Sequence, residues 1–441
     1  MTCLTFCLFF LSGISFGQRQ TPGQQSSSKV FTSDIDNFWS AYDSARTTSD
    51  SLQQIHYIQT LYIDKGSEGL KAFMAARDYT AELWVKEIRA YPKFWNSIRP
   101  NTLSVKPKAA LIEKSIAKLK TLYPGLREAK LYFTVGALHS GGTTKDSMVL
   151  IGAEIATGDP TTDVSEFPDK WLAGIFAQHT QDNIVQLNVH EYIHTQQKID
   201  AEMADINLLT RSIIEGSCDF IAELVTGGLL QNNYDAYGRE HEPELKLRFK
   251  KEMFSTAFSN WLYNGANTRE VADLGYFMGY AICKSYYNHA QDKQDAVRQI
   301  IELNYPASNA VEHFLVDSKY YPEGFDKEAL IKAYDAKRPK VAGILPFANG
   351  DTAVDASLTE MTIRFSDHMD TTGVSIRRGP GGKDHYPLAG VKGFDGNGTS
   401  LVVRLNLKPD HVYEFLISDQ RFKSADGYAL VPMAIKFKTH P

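Results

Sequence analysis

Cysteine is nearly absent: four among 441 residues, two of them (Cys3 and Cys7) within the first seven positions. Without that leading stretch only Cys218 and Cys283 remain, so a disulfide-dense scaffold is excluded and the pair is either one bridge or two buried thiols. An excess of positive charge is missing too. Lys and Arg number 47 against 52 Asp and Glu, and the net charge of -5 provides no basic footprint for nucleic acid. No apolar run reaches the roughly 18 residues that a membrane-spanning helix needs, and no segment repeats with a period of about 20 to 50 residues. Aromatic residues are plentiful, at 22 Tyr and 24 Phe, which argues against extensive disorder beyond the amino terminus. With 43% hydrophobic and 22% charged residues the composition is that of a globular protein. Its 441 residues exceed one ordinary core, so two or three domains are expected.

Residues 1–17 read as an export signal. Leu4 to Phe16 is a short apolar run, and Ser15-Phe16-Gly17 puts small residues at the -3 and -1 positions of a cleavage site, although no Lys or Arg precedes the run. Cys3 and Cys7 lie too early for a lipoprotein cleavage site. The expected location is therefore periplasmic, cell-surface or extracellular. Residues 18–30, rich in Gln and Ser, form a flexible lead-in.

The rest divides by periodicity. From 31 to 125 the apolar residues recur at helical spacing, as in Ile55, Ile58, Leu61 and Tyr62, and Leu111 to Leu122 ends at Pro124-Gly125. Leu131-Tyr-Phe-Thr-Val and Met148-Val-Leu-Ile read as strands with a loop at Gly141-Gly142-Thr-Thr between them. Helices are expected over 207–226, stopping at Gly227-Gly228, and over 242–258, 274–288, 295–303 and 327–336. Beyond Lys337-Arg-Pro-Lys the period becomes two in Glu360 to Phe365, Leu401 to Leu405, Val412 to Ile417 and Ala434 to Lys438. The expectation is multidomain: a mainly α (α+β) domain over 31–338, with its core at 126–338, then an all-β sandwich over 339–441. Asp395-Gly-Asn-Gly-Thr399 fits a hairpin turn.

Chemistry concentrates in Val-His-Glu-Tyr-Ile-His at 189–194. Histidines four apart lie on one face of a helix, so His190 and His194 can converge on one Zn²⁺, with Glu191 in reach of water as general base. With 12 His in the chain, chance matches to this pattern number about 0.02 per sequence of this kind. Asp182 is placed to cap that helix.

A catalytic zinc wants a third protein ligand. Six residues after His194 stands Asp200, with Gln197 where a metzincin has its turning Gly. Asn233-Tyr-Asp235-Ala-Tyr237-Gly238 echoes a second pattern one residue short, and reads as a turn. The third candidate is Glu215, on a helix made apolar around its girth by Ile213, Ile214, Cys218, Phe220, Ile221 and Leu224. A carboxylate buried there needs a partner. Asp219, four residues on, shares its face and can accept from a ligating imidazole. Cys218 reads as a small buried hydrophobe.

His190-Glu-Tyr-Ile-His194 followed by Glu215 and Asp219 resembles the HExxH…ExxxD signature of gluzincin zinc metallopeptidases, the thermolysin and membrane-alanyl-aminopeptidase kind. His190-Glu-Tyr-Ile-His194-Thr-Gln-Gln197 with Ile214-Glu215-Gly216 is most similar to an uncharacterised group of predicted Zn-dependent proteases of bacterial envelopes. Over about 130 to 305 the resemblance implies a gluzincin-type fold and one Zn²⁺ held by His190, His194 and Glu215. Glu191 would be the general base, Asp219 the partner that orients a ligand, and a peptide or protein the substrate. Tyr276, in Asp273-Leu-Gly-Tyr276-Phe-Met-Gly279-Tyr280, takes the position of the catalytic Tyr in a segment similar to the aminopeptidases' YxxG. Tyr280 and His289 are the alternatives, and Gly275 with Gly279 equally suits close helix packing. Gly152-Ala153-Glu154 loosely echoes a motif that binds a free amine, which makes an aminopeptidase the second enzymatic reading. Ile363-Arg-Phe-Ser-Asp-His-Met-Asp370, with Ser424-Ala-Asp-Gly and Phe437-Lys-Thr439, resembles bacterial Ig-like domains, which implies an envelope or surface partner. The reading outside enzymology is an envelope-associated binding or assembly protein with a structural or vestigial zinc site.

Overall fold

The computed structural model describes residues 29–441 apart from 169–170, 177–182, 200–205, 229–231, 266–270 and 308. The expected export signal, nearly all of the lead-in, Asp182 and Asp200 lie outside the described residues. The chain clusters into two compact units, one of Met1–Leu245 with Glu270–Gly324, the other of Lys246–Arg269 with Phe325–Pro441. Helices dominate up to Asp335, and every strand after it belongs to antiparallel sheets.

In the first unit six helices (α1–α6) and one π-helical turn run from Ser33 to Leu122. A four-stranded sheet follows, made of β1 (Val30–Phe31), β2 (Lys130–Thr134), β3 (Gly142–Lys145) and β4 (Met148–Gly152) in the order β1-β2-β4-β3. Leu131, Phe133, Val149, Leu150 and Ile151 are wholly buried, as suits parallel strands covered on both faces. The Gly141-Gly142-Thr-Thr stretch, expected as a loop, supplies edge strand β3. Its two β-branched threonines pair antiparallel with Val149 and Leu150. The helical region is tied to the end of β2: Tyr62 Oη donates to Val135 O at 2.7 Å and accepts from Val135 N at 2.9 Å.

Beyond the sheet come α7 (Ala153–Ala156), α8 (Trp171–Phe176), α9 (Ile184–His194), α10 (Leu208–Thr226), α11 (Asn233–Glu252), α12 (Leu274–His289), α13 (Lys293–Ile301) and α14 (Ala310–Asp317). Asn207 caps α10 through its side chain, accepting from Thr210 N at 2.9 Å, and Gly227 ends it at φ 77°. Two glycines let α10 and α12 touch backbone to backbone. A Cβ on Gly216 would stand 2.0 Å from Tyr280 N, and one on Gly279 would stand 1.7 Å from Ser212 O. The Asn233–Gly238 stretch, expected as a turn, is the start of α11. There Gly238 makes room for the Phe277 ring, which tertiary packing supplies and local sequence does not. Non-helical dihedrals at His241, two residues before Pro243, kink α11, which ends at Glu252 rather than continuing to 258.

In the second unit α15 (Lys327–Asp335) precedes β5 (Val341–Leu345), β6 (Glu360–Phe365), β7 (Ile376–Arg378), β8 (Leu388–Phe394), β9 (Ser400–Leu405), β10 (Val412–Ile417) and β11 (Met433–Lys438). Two antiparallel sheets result, ordered β5-β6-β9-β8 and β11-β10-β7. The period-two pattern turns Met361, Ile363 and Phe365 of one sheet and Tyr413, Phe415 and Ile417 of the other into one buried cluster. Asp395–Thr399 makes the β8–β9 turn. Among the described residues no helix is long and apolar enough to cross a membrane.

Candidate metal centre

The site is built on α9 and α10 of the first unit. Helix α9 is fastened at its carboxyl end to the segment entering β2. The Tyr192 hydroxyl accepts from Ala129 N at 2.8 Å, while Gln196 accepts from Arg127 N at 2.8 Å and donates to Arg127 O at 3.0 Å. Helix α10 buries Glu215 and Asp219 almost completely, each 2% exposed.

One turn apart on α9, the two imidazoles point Nε2 toward Nε2 at 3.1 Å. Glu215 Oε2 completes the triangle, 3.5 Å from His190 Nε2 and 3.3 Å from His194 Nε2. In a tetrahedral zinc site, with ligand bonds near 2.0–2.1 Å, neighbouring donor atoms lie about 3.3 Å apart. The three separations match the edges of such a tetrahedron, and the donor set is one zinc accepts.

The electrostatics agree. Burial works against charge on either ring, yet Asp219 beside His190 and Glu215 beside His194 raise both pKa values above the ordinary imidazole range. Burial would likewise raise Glu215, but the two imidazoles hold it well below the usual carboxylate range. The pocket calls for positive charge. Cys218 belongs to the same cluster of ligand-type atoms, but its Sγ approaches Nδ1 of His194 at 3.5 Å. That nitrogen is the one turned away from Glu215, so the Nε2/Nε2/Oε2 set is the coherent one. Cys218 and Cys283 are both free and buried.

Around this triangle the remaining expected residues are distributed unevenly. Glu191 is half-buried on α9, and its Oε2 is shut off from solvent with no hydrogen-bond partner among the described residues. Asp219 Oδ1 accepts from His190 Nδ1 at 2.8 Å, and its Oδ2 accepts from the Tyr234 hydroxyl at 3.0 Å. Tyr276, in the first turn of α12, lays its ring along that of His190 with centroids 6.2 Å apart and planes 22° apart. Tyr280 is not brought there. Its hydroxyl donates to Glu223 at 2.5 Å and accepts from Lys284 at 2.6 Å. His289 sits exposed at the far end of α12, bonded to Ser285 O. Glu154 is fully buried, with its carboxylate accepting from Gly136 N at 2.8 Å and Leu138 N at 3.2 Å. Burial raises its pKa to about 7.

Two residues escaped the sequence reading. Gln197 Oε1 lies 2.8 Å from His194 Nδ1, and Tyr234 backs Asp219. The first has a faint local signal, an amide one turn beyond the second histidine. The second has none, because α11 meets α10 only in the folded chain.

Residues 156–305, 150 of the 441, match the model of a family described as "Predicted Zn-dependent protease (DUF2268)", and that span contains the whole cluster. No curated protein matches the chain. Among solved structures it is similar, at 13% identity and a TM-score of 0.18, to the surface layer protein SbsC, domains 1-6, over 65% of this chain and 39% of that one. A second similarity, to the N-terminal part of the bacterial S-layer protein SbsC, has 13% identity and a TM-score of 0.18 over 61% and 62%. The chain thus spans less than two thirds of either, and a likeness at that score carries no argument about fold or function.

Proposed function

We propose that the chain is an exported zinc-dependent peptidase of the gluzincin kind. The observation that carries this reading is the convergence of His190 Nε2, His194 Nε2 and Glu215 Oε2 at tetrahedral spacing beside Glu191. The match to a family described as predicted Zn-dependent protease supports it. A zinc ion held by these three side chains would supply Lewis acidity toward water and toward a substrate carbonyl.

The chain's own residues do the rest. Glu191 takes a proton from the attacking water and returns it to the leaving amine. Asp219, itself held by Tyr234, keeps the proton of His190 on Nδ1, so that Nε2 presents its lone pair. Tyr276, stacked on His190, donates to the developing oxyanion. Edge strand β3, antiparallel to β4 and in contact with α9, suits an extended peptide that adds main-chain hydrogen bonds. Glu154 does not serve a substrate's free amine, since its carboxylate is committed to Gly136 and Leu138; cleavage within a chain is therefore preferred over removal of its first residue. The two-sheet unit is read as an Ig-like module that positions the enzyme or a partner at the envelope.

The test is hydrolysis of a peptide library and casein by the zinc-loaded protein, before and after chelation. Equal inactivity of the wild type and Glu191→Gln across that panel would sink the hydrolase. Absence of bound zinc, with melting unchanged by chelator, would favour a binding or assembly protein. Against that alternative stands Glu191, a general base that a structural metal site does not need.

A further inference from the structure

We propose that Gln197 sets which nitrogen of His194 faces the metal, by holding the ring's proton on Nδ1 and leaving Nε2 as an electron-pair donor. A neutral imidazole has one N–H, and acceptors on both sides compete for it: Gln197 Oε1 at 2.8 Å from Nδ1, against Glu215 Oε2 at 3.3 Å and the bare His190 Nε2 at 3.1 Å from Nε2. A proton on Nε2 would serve Glu215 but would point the bare Nδ1 at the amide oxygen.

The amide cannot turn to relieve that conflict. Its Nε2 donates to Ile214 O at 2.8 Å, and a carbonyl oxygen only accepts. It also donates to Ser217 Oγ at 2.9 Å, and that hydroxyl spends its own proton on Ile214 O at 3.0 Å. Turning the amide over would set its oxygen against the Ile214 carbonyl oxygen; the Ser217 hydroxyl could rotate to donate instead, so the Ile214 contact is the one that fixes the amide. Gln197, Ser217 and His194 are all buried, so no solvent stands ready to replace a lost bond. The thiol of Cys218, 3.5 Å from the same Nδ1, is a weak donor already directed at Ile214 O.

The two histidines are thus fixed by unlike means. A carboxylate accepts whichever way it rotates, so Asp219 needs only proximity to His190. A neutral amide must be oriented, and the Ile214 carbonyl on α10 orients it. Gln197 thereby couples the end of α9 to the helix that carries Glu215, and it adds no negative charge to a pocket that already holds three carboxylates. Gln197 is a positioning residue, and this role deepens the zinc-peptidase reading, on which it depends only for its consequence at the metal.

The test is long-range ¹H–¹⁵N NMR of the metal-free full chain with ¹⁵N-labelled histidine, at a pH alkaline enough for neutral rings. Wild-type His194 is expected as the Nδ1–H tautomer. Gln197→Met, which keeps the bulk and removes the acceptor, should move the proton to Nε2, and Ser217→Ala, which leaves Ile214 O in place, should not. Zinc affinity by chelator competition should fall about ten- to a hundred-fold in Gln197→Met. His194 protonated on Nε2 in the wild type overturns the proposal whether or not the variant folds, and so does an unchanged tautomer in Gln197→Met. Unchanged zinc affinity overturns its consequence at the metal. A wild type that shows the Nδ1–H tautomer, loses it in Gln197→Met, yet takes up no zinc would defeat the peptidase reading and leave this one standing.

Discussion

Glu215, Asp219 and Glu191 bring three carboxylates to two imidazoles in a largely buried corner of the first unit, and the proposed function gives each a separable role. Glu191 makes no contact that holds the triangle together. If the chain is the proposed zinc peptidase, Glu191→Gln should bind zinc as the wild type does while losing peptide turnover by about 10²–10⁴-fold, the usual contribution of a general base, as metal analysis and peptide cleavage on one sample would show. The tyrosines can be told apart in the same way. Tyr276 lies along His190, whereas the Tyr280 hydroxyl is engaged with Glu223 and Lys284. Tyr276→Phe should lower kcat about 10²-fold with little change in KM, the pattern of a lost oxyanion donor, and Tyr280→Phe should not. The opposite ranking would remove Tyr276 from the mechanism.

At the scale of elements, the site depends on how closely α10 and α12 approach. Adding a Cβ at Gly279, 1.7 Å from Ser212 O, forces the helices apart. Gly279→Ala should cost about 1–3 kcal/mol in urea unfolding, as overpacked cores do, and, on the zinc reading proposed above, should weaken metal binding because α10 carries Glu215 and Asp219. Helix α7 contributes a pH dependence through Glu154, which binds the segment after β2. Burial raises its pKa from 4.5 to about 7, so between those values the folded chain holds the proton more tightly than the unfolded one. The stability from this group is complete below pH 4.5 and lost as pH rises toward about 7. At 1.36 kcal/mol per unit the full loss is about 3 kcal/mol. Denaturant titrations across that range should show the decline, and Glu154→Gln should flatten it; an identical slope in the variant would exclude Glu154 as its source.

For the molecule as a whole, the second unit is more than its strands. Asn260 donates to Gly427 O at 2.7 Å, Tyr334 Oη accepts from Ala429 N at 3.3 Å, and Arg338 donates to Ala429 O and Leu430 O at 3.0 and 2.6 Å. A fragment starting at residue 339 lacks all three, so its 419–430 segment should exchange amide hydrogens faster than in the full chain, while β6, β9 and β10 stay protected. Equal exchange in that segment would mean these contacts contribute nothing. The division into a helical part and a two-sheet part was legible because periods of 3.6 and 2 are written residue by residue. So was the pairing of His190 with His194, since i and i+4 share a helix face whatever surrounds the helix. That Glu215 and Asp219 share a face was legible for the same reason, and the expense of burying carboxylates on an apolar helix pointed to a partner without naming it. Tertiary structure alone decided the rest. It turned Gly142–Lys145 into an edge strand, sent Tyr280 to Glu223 and Tyr276 to His190, and set Gln197 behind His194 and Tyr234 behind Asp219. These outcomes depend on which elements meet and at what distance, and a chain's local pattern holds a residue's face and its appetite for a partner, but not the partner's address.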